Sequence, residues 1–238
     1  MIKQKLYPIQ QWGIGDIIFQ ITLVRKIARD GDYEVIWAVL PEHVEGLNRA
    51  YPDIAFLDYR DFPQSMFSIQ EDKTVGDIRY LPLRWADSLC RVPYKWCMKS
   101  KYMLYKLPWE MWKDDAKYER NLEWEKTLSE HLGIKEGEQY NLINHTYRAD
   151  YKGHVGIAVE NGFKNVHMNV LPGFSLFDWS YVIERAMTIH TVSTSIIYIL
   201  ELLKLTANAV HVYIRRPIEA SHQNYDYILQ SHNYILEP

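Results

Sequence analysis

The stretch Val35-Ile-Trp-Ala-Val-Leu40 is apolar without a break. It is shorter than an ordinary core helix and too uniform for a strand with one wet face. It therefore predicts a strand buried on both sides, as in a parallel sheet covered by helices. Its flanks agree. From Asp16 to Arg29 the residues Ile17, Phe19 and Gln20, Leu23 and Val24, and Ile27 recur at helical spacing, and Asp30-Gly31-Asp32 ends the pattern. Lys5 to Pro8 is a short apolar start, Pro41 to Ala50 reads as a second helix, and Ile54 to Tyr59 as another strand. Strand and helix in alternation predict a βαβαβ unit.

The alternation returns after Tyr140. Leu142–Asn144, His154–Val159, Asn165–Val170, Met187–His190 and Val210–Ile214 read as strands. Asp178 is placed to cap a helix containing Trp179, Val182, Ile183 and Ala186, and Thr194 or Ser195 to start one that runs to Lys204. The expected class is α/β, with two Rossmann-like halves and mostly parallel sheets. Glycine and charge cluster between Gly133 and Tyr140, which puts the domains at 1–136 and 137–238.

The middle of the chain is different in kind. After a strand at Ile78–Leu83, the segment from Arg84 to Lys106 holds Arg84, Arg91, Lys95, Lys99, Lys101 and Lys106 against one acid, Asp87, interleaved with Tyr94, Trp96, Tyr102 and Tyr105. Such a segment suits an anionic partner, with bases stacking on aromatics and phosphates meeting cations, or an anionic membrane surface. It equally suits a core helix with its lysines in water. Trp109 to Leu132 reads as a charged helix stopped by Gly133.

Composition narrows the classes. The net charge is −3 over 238 residues, so the chain is not basic throughout. Cys90 and Cys97 match no zinc or redox spacing, which fits a reducing, cytoplasmic setting. The start MIKQKLYPIQQWG lacks the apolar region of a signal peptide, and Glu201 interrupts the longest apolar run, Ile196–Leu200. No transmembrane segment is expected, while peripheral membrane contact stays open. His167, His190 and His211 lie in apolar strands without ligand spacing, so no metal site is expected. Aromatic residues make up 14% of the chain, a stock that serves sugar or base recognition as well as core packing.

Three clusters carry candidate chemistry. Trp12-Gly13-Ile-Gly15-Asp16 sits at a strand-to-helix turn, where glycines admit a ligand close to the backbone. Asp16 reads either as a first-turn acid stabilising the helix or as a general base. Thr191-Val-Ser193-Thr194-Ser195 gathers hydroxyls before a helix, as an N-cap or as a phosphate cradle. Arg148 and Lys152 follow a strand and read as solvated cations or as diphosphate ligands. Asp178, Glu184 and Glu201 are candidates for a ribose hydroxyl, with Arg215 and Arg216 as further cations.

Together these residues resemble the GT-B glycosyltransferases, closest to the ADP-heptose:lipopolysaccharide heptosyltransferase type. Gly13-Ile-Gly-Asp16-Ile-Ile is similar to that family's opening G-x-G-D segment, Arg148 and Lys152 to its phosphate-proximal cations, and Glu184 to Ser195 to its donor-binding stretch. Ser193, Ser195 and Tyr198 stand where the D-T-G-x-x-H motif has Asp, Gly and His; only Thr194 matches.

The resemblance implies an amino-terminal acceptor domain, a carboxyl-terminal nucleotide-sugar domain and a cleft between them. It implies Asp16 as catalytic base and Arg148, Lys152, Ser193, Thr194, Ser195 and Tyr198 around the donor phosphates. Trp12, Gly13 and Gly15 would line the acceptor side. The implied reaction is metal-independent transfer of a sugar from a nucleotide-sugar to an acceptor hydroxyl, with no cofactor beyond the nucleotide-diphosphate sugar that serves as donor substrate. Two alternatives stand beside it: a phage-type DNA glycosyltransferase acting on a modified base, and a non-catalytic nucleotide- or glycan-binding module.

Overall fold

The computed structural model describes residues 3–93, 97–147, 153–214 and 228–237, and the chain divides into two compact units, Met1–Glu119 and Arg120–Pro238. The first unit contains β1 (Gln4–Pro8), α1 (Ile14–Gly31), β2 (Tyr33–Val39), α2 (Pro41–Ala50), β3 (Ala55–Asp58), β4 (Lys73–Val75), β5 (Ile78–Leu81), α3 (Ala86–Cys90) and α4 (Cys97–Met103). Its sheet has the order β3-β2-β1-β5-β4, parallel except for the β4–β5 hairpin. The apolar run is β2, where Trp37, Ala38 and Val39 are all buried. Tyr7, Ile9, Ala38 and Tyr80 meet Met66 and Phe67 on one side. On α1, Phe19 stacks on Trp112 and meets Tyr102 edge-on, each with ring centroids 5.3 Å apart.

The second unit contains α5 (Leu122–His131), β6 (Tyr140–Asn144), β7 (Thr146–Tyr147), β8 (Gly153–His154), β9 (Lys164–His167), α6 (Ser180–Arg185), β10 (Thr188–Val192), α7 (Ile196–Leu202), β11 (Ala209–Tyr213) and β12 (Tyr234–Glu237). Its five-stranded sheet has the order β12-β11-β10-β6-β9 and is parallel throughout, while β7 and β8 form a small antiparallel pair.

Several expectations need correction. The segment from Arg84 to Lys106 is not one helix: Arg91 at φ 53° ends α3, and Pro93 follows. The expected helix from Trp109 to Leu132 is also interrupted. Only a 3-10 turn at Trp109–Lys113 and α5 are helical. Between them the chain is pinned to the first unit: Thr22 Oγ1 donates to Trp112 O, Arg25 to Asp115 O and both oxygens of Asp53, and Glu119 N–H to Ala50 O. Past Arg120 the attachments change. Arg120 pairs with Glu125 and, at 2.7 Å, with Glu184. The division therefore falls between Glu119 and Arg120, earlier than the expected 136/137, and α5 belongs to the second unit. The strand expected at His154–Val159 is limited to Gly153–His154, because β9 and β10 already occupy both edges of β6.

Two polar clusters tie together the β10–β11–β12 part of the second sheet and α7. Glu201 on α7 is 5% exposed. It accepts hydrogen bonds from the amides of Gln230 and Ser231, from Ser231 Oγ at 2.8 Å and from Tyr234 Oη at 2.5 Å, so one carboxylate ties β12 to α7. On adjacent strands, His190 and His211 stack at 4.4 Å between centroids, with His190 also against Thr188 and Tyr213, and His211 against Glu237. Burial, with help from the neighbouring His211 ring, holds the His190 pKa down to about 4.

Removing the Glu201 carboxylate strands its buried donors. Glu201→Ala should cost about 2–4 kcal/mol in urea unfolding, with faster amide exchange in β12. His190 gives a pH dependence of known sign. Between pH ~6.5 and about 4 the unfolded chain takes up a proton that the folded chain refuses, so stability falls as pH drops through that window. The loss should be roughly 2–3 kcal/mol, and His190→Asn should flatten this part of the profile.

Candidate functional site

In an open α/β sheet, ligands bind beyond the carboxyl ends of the strands, where the strand order reverses. In the first unit that reversal lies between β1 and β5, and in the second between β6 and β10. Each pair has a cluster of polar side chains at its carboxyl ends.

In the first unit, the chain leaves β1 through Gln10, Gln11, Trp12 and Gly13. Gly13 has φ 78°, a conformation that favours glycine, and begins α1 without any side-chain cap. Gly15, buried inside the first turn, has no positive φ. Asp16 does not serve as a cap. Its Oδ1 lies 3.0 Å from Lys101 Nζ, with the Asp16 side chain 37% exposed and that of Lys101 only 6%. Lys101 also donates to Gln10 Oε1 at 3.0 Å and Leu83 O at 3.5 Å. Gln10 Nε2 in turn donates to Trp12 O. After β5, the Arg84 amide donates to Ile9 O, and its guanidinium lies 4.1 Å from the Trp12 ring centroid and 5.0 Å from that of Trp85. Burial, aided by the Asp16 charge, pushes the Cys97 thiol up to about 11, so it stays protonated near neutrality.

Lys101 is the residue that sequence reasoning missed. It lies in the basic, aromatic segment, where its role was divided between a nucleic-acid contact and a solvated helix face. It takes neither. Lys99 packs 4.4 Å from the Trp109 centroid, and Arg84 lies over indoles, so these three cations are engaged within the protein. Lys95, Tyr94 and Trp96 lie outside the described residues. A buried lysine is rare unless paired, but a heptad or turn motif does not announce which lysine points inward.

In the second unit, Asn144 at the end of β6 is buried and donates through Nδ2 to Thr191 Oγ1 at 2.9 Å and Thr194 Oγ1 at 3.3 Å. Thr191 Oγ1 donates its own hydrogen bond to Val192 O at 2.9 Å. The turn is thus held from behind by a neighbouring strand. Thr194 and Ser195 are partly exposed, and Ser195 does not cap α7 through its side chain. Ser193 and Tyr198 are buried, at 2% and 8% exposure, and the Ser193 amide donates to Tyr213 O. Of the hydroxyls at this turn, those of Thr194 and Ser195 are the ones on partly exposed residues. The helix here is two turns long, so its dipole adds little.

The carboxylates offered for a ribose are occupied elsewhere. Asp178 closes a capping box with Ser175, Glu184 pairs with Arg120, and Glu201 holds β12. Arg148, Lys152, Arg215 and Arg216 lie outside the described residues. Among the described residues no three His, Cys, Asp or Glu side chains converge to hold a metal ion, and no helix is long and apolar enough to cross a membrane.

No family model matches the chain, and no curated protein matches it in sequence. Solved structures do resemble it. The crystal structure of the glycosyl transferase family 9 protein from Veillonella parvula DSM 2008 aligns with a TM-score of 0.54 at 10% identity, covering 98% of this chain and 85% of that one. The iron-containing dodecameric glycosyltransferase TibC from enterotoxigenic E. coli H10407 aligns at 0.51 and 10% identity, covering 89% of this chain. The heptosyltransferase TibC in complex with ADP-D-beta-D-heptose aligns at 0.52 and 11% identity. This chain spans 58% of the length of either TibC chain. At these identities the likeness is one of fold, and the fold is that of these glycosyltransferases.

Proposed function

We propose that the chain is a glycosyltransferase that moves a sugar from a nucleoside-diphosphate sugar to an acceptor hydroxyl, without a metal ion. The observation that supports this most is that both residue clusters lie beyond strand pairs at which the sheet order reverses. The fold shared with a family 9 glycosyltransferase and with TibC supports it independently.

In this reading the second unit holds the diphosphate through Thr194 and Ser195, with Ser193 and Tyr198 behind the turn. Arg148 and Lys152 supply the charge that stabilises the departing diphosphate. The first unit presents an acceptor hydroxyl to Asp16, half-exposed at the start of α1. Trp12, beside it and 42% exposed, offers a flat face to a sugar ring. Asp16 removes the hydroxyl proton as the sugar transfers.

The test begins with thermal shifts against ADP-, UDP-, GDP- and dTDP-sugars. ADP-sugars come first because TibC was solved with one. A true donor present at ~100 times its Kd adds about 2.7 kcal/mol to stability and raises Tm by several degrees. No shift with any of them defeats the proposal. With the responding donor, Asp16→Asn should lower release of nucleoside diphosphate by about 10²–10⁴-fold and leave the donor-induced shift intact. A variant that keeps its rate removes Asp16 from the chemistry and favours a binding module. Thr194→Val should reduce the donor-induced shift, read against the Tm of the free variant, which itself falls a little because Asn144 loses an acceptor.

A further inference from the structure

Within the glycosyltransferase reading above, on which this step rests, we infer that Lys101 is the positioning residue for Asp16: it grips Oδ1 and leaves Oδ2 as the oxygen that receives the acceptor proton. The geometry is asymmetric at every point. An ammonium has three N–H groups. Those of Lys101 face Asp16 Oδ1 at 3.0 Å, Gln10 Oε1 at 3.0 Å and Leu83 O at 3.5 Å. With its side chain 6% exposed, Lys101 has no donor left for a substrate and acts only through its partners.

These partners come from three places: the start of α1, the loop after β1 and the loop after β5. Lys101 itself stands on α4. One buried cation therefore fixes the carboxylate relative to both loops beside which the acceptor is proposed to bind.

The other carboxylate oxygen is left clear. Among the described residues no hydrogen-bond donor is assigned to Oδ2. It lies over Gly13, where a Cβ would sit only 2.6 Å away. The missing side chain keeps that approach open, and Gly13 is itself exposed. In the transfer, the acceptor O–H bond breaks and its proton goes to Oδ2. The acceptor oxygen forms the new bond to the anomeric carbon, and the bond from that carbon to the diphosphate oxygen breaks, its electron pair leaving with the nucleoside diphosphate. Oδ1 stays bound to Lys101 throughout.

The experiment is a double-mutant cycle with Asp16→Asn, Lys101→Met and both together. It follows release of nucleoside diphosphate from the donor found by thermal shift, with Tm recorded for every variant. Lys101→Met keeps the length of the buried stem and removes the cation. The expected result is a fall in kcat of about 10–100-fold, with KM for the donor unchanged. The double variant should be no slower than Asp16→Asn alone, because Lys101 has nothing to position once the base is gone. A purely structural lysine would instead slow the Asp16→Asn variant further, by the full factor. If Lys101→Met fails to fold, Lys101→Gln, neutral but still a hydrogen-bond donor, takes its place in the cycle.

Two results overturn the inference while sparing the parent reading: a lysine variant within twofold of the wild-type rate, or additive losses in the cycle. An Asp16→Asn variant with wild-type turnover overturns both.

Discussion

A parallel strand cannot be joined to its neighbour by a tight turn; the chain must cross back over the sheet first. That requirement sets the plan of both units. It sends every carboxyl end of β1, β2, β3 and β5 to one edge, and does the same for β6, β9, β10, β11 and β12 in the second sheet. Polar residues gather at or just past those ends: Gln10, Trp12 and Gly13 after β1, Asn144 and Thr191 near the ends of β6 and β10, and Thr194 just beyond. Topology brings them to the same edge of each sheet.

Charge inside the molecule follows a consistent rule. Arg25 reaches both oxygens of Asp53 and a backbone carbonyl, Arg120 joins Glu125 to Glu184, and Glu201 is surrounded by donors from the last strand. Each of these groups joins segments that lie far apart in sequence, and each recovers through hydrogen bonds what it loses in leaving water. The Lys101–Asp16 pair follows the same rule: its cation is sequestered while its carboxylate remains accessible to solvent, as in the Arg25–Asp53 pair.

Much of the architecture was legible in the chain. The period of α1 and the unbroken apolar run of β2 leave few alternatives, since burial on both faces writes itself directly into composition. The reading failed where tertiary structure overrides local pattern. β12, with Tyr234 and Glu237 half-buried and Ile235 and Leu236 exposed, lacks the signature of an inner strand, and its attachment to Glu201 is invisible in sequence. Trp109 to Leu132 has helical composition, yet its middle is drawn straight by bonds to Thr22, Arg25 and Ala50. The candidate site divided in the same way. Asp16 and Thr194 stand out as candidates because a glycine turn and a hydroxyl cluster are local features. Lys101 was not found as their partner, nor Asn144, because each acts across the fold on residues more than forty positions away.

Asn144 also limits what the hydroxyl turn has left to offer. Its amide fills a lone pair on Thr194 from the rear, and Thr191 turns its own hydrogen onto Val192 O. Thr194 keeps its hydrogen and one lone pair for whatever lies in front of it. The turn is therefore set, at this residue, to give one hydrogen bond and to take one.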